Sequence, residues 1–153
     1  MTDAARVLLT AVVLSVVALT ATTIRLLRSP IGTPARLVGQ LHLSQWAALV
    51  LAAQGAISIG LAVASQGMAG AAFELAGGVV FVCIAAAVLR SEPPVALALA
   101  AFALGVHAAV AFAHRPGWWY ADLAPFWFWT GQAVYDVYVA TLCLLGAPSR
   151  TAR

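Results

Sequence analysis

Five apolar stretches, at 7–24, 43–65, 71–89, 93–113 and 126–146, follow one another along the chain. Each reaches or approaches the roughly 20 residues that a membrane-spanning helix needs. Short intervals rich in arginine, proline and glycine separate them. The pattern predicts an all-α, polytopic integral membrane helix bundle forming one transmembrane domain over 1–153. The first stretch has a long apolar core, lacks a good small-x-small cleavage site and runs directly into Arg25 and Arg28, so it reads as a retained helix and not a signal peptide. Between the first two spans, "RSPIGTPARLVGQLHLSQW" combines turn-forming residues with an apolar-basic stretch. It predicts a turn and a short interfacial helix leading into the second span.

Composition strengthens the membrane reading. Of 153 residues, 63% are hydrophobic and 8% charged, and the mean hydropathy is +0.98; an average soluble domain is about a quarter charged. All the basic residues are arginines, which excludes chemistry through a lysine Schiff base. The formal charge of +3 is spread through loops, so nucleic-acid binding has no support. Cys83 and Cys143 lie inside apolar runs without metal-type spacing and read as small buried hydrophobes.

Charge also predicts orientation. Arg25, Arg28, Arg36, Arg90, Arg150 and Arg153 fall on one side of a five-span arrangement, and Arg6 and Arg115 on the other. Because basic residues favour the cytoplasmic face, the N-terminus is expected outside and the C-terminus in the cytoplasm, in the inner (plasma) membrane of the cell. The aromatic stretch "RPGWWYADLAPFWFW" at 115–129 then lies on the outer face. Its rings are expected to form an interfacial belt at the headgroup level, with Trp118, Trp119 and Tyr120 in the belt and the residues from Phe126 onward opening the fifth span.

Candidate chemistry rests on polar residues inside the spans, which are costly in hydrocarbon and mark functional sites by default. Glu74, His107 and Asp136 fall there, all expected in the outer half of the membrane. Helical spacing puts Glu74 with Gly77, Gly78 and Phe81, and Asp136 with Trp129, Gln132, Ala140 and Cys143. His107 lies between Ala103 and Ala111, with His114 two turns away. The expected ligand-binding set is therefore Glu74, His107, Gln132, Asp136 and Trp129, in an outward-facing polar pocket built from spans three, four and five. Gln54, with Ala56, Ser58, Gly60 and Ala62, reads as a helix-contact face. His42 and His114 are expected near the interfaces, in solvated places.

Three uses of such a pocket follow, beside a scaffold whose polar groups merely join helices. The preferred one is a small binding or translocation component for a proton, a metal ion or a small solute, acting in an oligomer or with other membrane subunits. A carboxylate with an imidazole suits a divalent cation, with His107 the candidate metal ligand. The second is a haem-, pigment- or quinone-contacting anchor in a redox or photosynthetic complex, in which His107 would be an axial ligand. "ALGVH" is similar to the Ala-x-x-x-His pattern around pigment-ligating histidines of bacterial antenna helices, a match too short to identify a family. The third is an intramembrane enzyme on a lipid or isoprenoid, with Asp136 or Glu74 as the catalytic general acid. The cofactor, if any, is left open by the sequence.

Overall fold

In the computed structural model, residues 3–65, 67–114 and 123–147 are described, and they form five helices. These are α1 (Asp3–Arg28), α2 (Pro34–Ala64), α3 (Ala71–Arg90), α4 (Pro93–Ala113) and α5 (Phe126–Gly146). Their starts and stops follow local chemistry. Thr33 caps α2 by accepting from the Arg36 amide, and Pro34 takes the first helical position, where a missing N–H costs nothing. Pro93 and Pro94 open α4 in the same way. Gly70, at φ 95°, turns the chain into α3 through a left-handed conformation that glycine adopts freely.

The expected interfacial helix before the second span is not a separate element. From Pro34 the chain runs unbroken through 31 helical residues, because Pro30 and Gly32 confine the turn to 29–33 and nothing after Pro34 breaks the helix. The other spans agree closely with their expected positions, α1 being longer at both ends.

Four helices, α1 to α4, are long and apolar enough to cross a membrane, as in a multi-pass membrane protein. The fifth has comparable length, 21 residues, but carries Gln132, Tyr135, Asp136 and Tyr138. Its buried residues, Trp129, Gln132, Asp136, Val139, Ala140 and Cys143 among them, repeat at helical spacing and turn one face into the bundle.

The core is built mainly by α2 and α4, through Leu43, Ala47, Leu51, Leu97, Ala100 and Leu104. Small residues let the backbones close up: a Cβ on Gly55 would stand 2.6 Å from the Gly78 carbonyl oxygen, and one on Gly78 2.7 Å from that of Gly55. Helix α1 is the least embedded. It lies against α5 through hydroxyl pairs, Ser15 with Tyr135 at 2.9 Å and Thr20 with Tyr138. At the lower end, where α1 joins α2 and α3 joins α4, Arg36 Nη1 donates to the Leu26 carbonyl at 2.9 Å. There too Gln40 Nε2 donates to the Gly146 carbonyl at 3.0 Å, closing α2 on the end of α5. The upper end carries the α2–α3 and α4–α5 connections.

Cys143 is buried as expected, whereas Cys83 is exposed on α3. On a lightly packed helix in a bilayer, an apolar run does not distinguish a core-facing residue from a lipid-facing one.

Candidate functional site

Helices α4 and α5 run antiparallel, joined at the upper end. His107 of α4 and His114, its C-cap, are seven residues apart and so share a face; on α5, Trp129 and Asp136 do the same. The two faces meet, and they meet at two heights about 10 Å apart.

At the lower height, His107 Nδ1 lies 2.6 Å from Asp136 Oδ2. Gln54 of α2 donates from Nε2 to Asp136 Oδ1 at 2.8 Å. Gln132, one turn above Asp136 on α5, donates from Nε2 to Gln54 Oε1 at 2.6 Å. Gln54 therefore donates to the carboxyl, and Gln132 holds the Gln54 amide in that orientation, an arrangement that steadies negative charge on Asp136. The His107 ring is packed against the Phe81 ring of α3, edge to face, with centroids 4.5 Å apart. Asp136 is fully buried and His107, Gln54 and Gln132 nearly so.

At the upper height, Glu74, in the first turn of α3, places Oε1 3.0 Å from His114 Nε2. His114 Nδ1 lies 2.8 Å from the Val110 carbonyl. A carbonyl only accepts, so Nδ1 carries a proton and Nε2 is the nitrogen that titrates against Glu74. Burial disfavours the charged ring, but the hydrogen bonds to Glu74 and to the Val110 carbonyl outweigh it, and the His114 pKa sits above its ordinary value. The imidazole is stacked on the Trp129 indole, centroids 4.0 Å apart. Trp129 in turn donates to the Ala124 carbonyl at 3.1 Å, tying the start of α5 to the turn before it.

All five expected ligand-binding residues are buried within the bundle, but in two groups: His107, Asp136 and Gln132 below, Glu74 and Trp129 above. Glu74 pairs with His114 and not with His107. Two residues of the candidate site escaped the sequence reading. His114, expected in a solvated place, is fully buried; its spacing of seven from His107 was the signal that it shares the inward face. Gln54, read as part of a contact face, supplies the amide that holds Asp136. His42 is exposed on α2. Phe126 and Trp127 are exposed at the upper end, while Trp129 turns inward. Trp118, Trp119 and Tyr120 lie outside the described residues.

Among the described residues no group of three or more His, Cys, Asp and Glu side chains could hold a metal ion. Each pair offers one imidazole and one carboxyl. What such a pair does readily is share a proton: neutral acid with neutral imidazole, or carboxylate with imidazolium. Comparison with protein-family models, with curated proteins and with solved structures finds no match for the chain.

Proposed function

We propose that this protein is a small multi-pass membrane component that binds and passes protons through the Asp136–His107 pair. The observation that carries the reading is a fully buried carboxyl whose two oxygens face an imidazole and a donating amide in the middle of the bundle. Ionisable groups at such depth are expensive unless they are used. Two ligands of this kind fall short of the three or four that a bound divalent ion takes from protein, so a proton suits the pair better than a metal.

In this reading all five helices cross the plasma membrane, and α5 is carried across because its polar face is buried against α2 and α4. The distribution of arginines supports an orientation with the upper end outside and the lower end in the cytoplasm. Association with further copies or other membrane subunits would cover the apolar residues of α1.

The test is proton flux into vesicles containing the purified protein, followed with a trapped pH dye under an imposed potential. Asp136→Asn keeps the shape and the Gln54 contact but cannot take up a proton, and it should lower the protein-dependent flux at least tenfold. Flux equal to that of the native protein would end the reading.

A further inference from the structure

The lower amide chain ends in an acceptor that nothing satisfies. Gln132 gives its Nε2 to Gln54, but among the described residues no donor reaches Gln132 Oε1, although the side chain is only 7% exposed. A buried carbonyl oxygen without a donor costs about 1–3 kcal/mol, and buried waters commonly answer such groups. The orphaned atom belongs to a residue between the two pairs, one turn above Asp136 and three residues below Trp129 on α5.

Other polar groups continue upward from it. Ser58 lies one turn above Gln54 on the same face of α2 and is buried, 4% exposed. Since Gly55 meets Gly78 in the antiparallel α2–α3 pair, Ser58, three residues up α2, stands at nearly the height of Glu74, four residues up α3. Glu74 reaches His114 there. Among the described residues, charge enters this file from the pairs themselves: α5 faces His114 with the Trp129 ring, α3 faces His107 with Phe81, and α2 faces Asp136 with Gln54.

Resting on the proton reading of Asp136, we propose that Glu74–His114 is a second protonatable station, and that a short file of waters, one of them held on Gln132 Oε1, links it to Asp136–His107, making the upper end the side from which Asp136 exchanges protons. A proton taken up by Glu74–His114 leaves from His114 Nε2 or the Glu74 carboxyl to the nearest water of the file. Each water passes one of its own protons to the next, and the last gives one to the Asp136 carboxylate. One proton enters and one arrives, and no electron moves.

The test is hydrogen–deuterium exchange of the Asp136 carboxylic acid, read by infrared spectroscopy as the shift of its carbonyl band after a jump into heavy water. The band is assigned by its loss in Asp136→Asn. Glu74→Gln and Gln132→Met should each slow the exchange at least tenfold, Glu74→Gln without moving the pH at which Asp136 titrates, and Glu74→Asp should restore it. A purely structural role for Glu74 would show as altered unfolding with unaltered exchange. Unchanged exchange in folded Glu74→Gln overturns the proposal; if that variant does not fold, unchanged exchange in Gln132→Met does so. Native protein that conducts no protons, but whose Asp136 exchange depends on Glu74, would remove translocation and leave this access path standing.

Discussion

Asp136 is held by neighbours whose types could be read in advance but whose pairing could not. Intramembrane cost singled out Glu74, His107 and Asp136 from the sequence, and helical spacing put Trp129 and Gln132 on the Asp136 face. Which histidine met which carboxyl depended on how far the helices slide past one another, and no single-helix periodicity contains that. At this scale Gln54→Leu should leave Asp136 Oδ1 without its donor and Gln132 Nε2 without its acceptor, and so destabilise the fold by roughly 1–2 kcal/mol. Equilibrium unfolding in mixed micelles checks this; no loss of stability would show that the amide chain does not hold the carboxyl. His114 makes a separate statement. Its folded pKa is raised above the ordinary 6.5 by Glu74 and the Val110 carbonyl against the opposing effect of burial. A raised value means the folded state binds the proton more tightly. The stabilisation is therefore complete below the unfolded value and is lost as pH rises through the folded one. The unfolding temperature should fall over that window in the native protein, and the fall should be absent in His114→Gln.

The helices themselves were largely legible. Runs of apolar residues bounded by Pro30, Pro34, Gly70, Pro93 and Pro125 located α1 to α5. The interfacial helix before the second span was the exception, since an apolar-basic stretch with no breaker after Pro34 is equally a longer α2. Less legible was the closeness of α2 and α3, which turns on two glycines among the 12 in the chain. Gly78 shows how selective that contact is. Its alanine Cβ would meet the Gly55 carbonyl oxygen and Ile59 Cγ1, both at 2.7 Å, whereas nothing lies within 4 Å of a Cβ on the neighbouring Gly77. Gly78→Ala should cost about 1–3 kcal/mol through overpacking. Gly77→Ala should instead be neutral or stabilising by up to about 1 kcal/mol, because alanine is the better helix former. The same unfolding measurement on both variants checks the pair, and equal effects would contradict the α2–α3 packing.

For the whole molecule, a bundle this small has little room for polar groups that only fasten helices, because interhelical hydrogen bonds in a membrane contribute modestly. Other contacts fasten the bundle as well. Gln40 and Arg36 close the lower end, and tyrosine–hydroxyl pairs hold α1 to α5. The two carboxyl–imidazole pairs sit apart from these contacts, one above the other along the α4–α5 seam, with an unsatisfied amide oxygen between their heights. That vertical order is the feature that supports the proposed proton path. The central claim is that Asp136 itself gains and loses a proton in the folded protein. Infrared difference spectra between acidic and alkaline buffer, recorded for native protein and Asp136→Asn in the same bilayer, test it most directly. The expected result is a protonated-carboxyl carbonyl band that appears with falling pH in the native protein and is missing from the variant; identical spectra from the two would contradict the account.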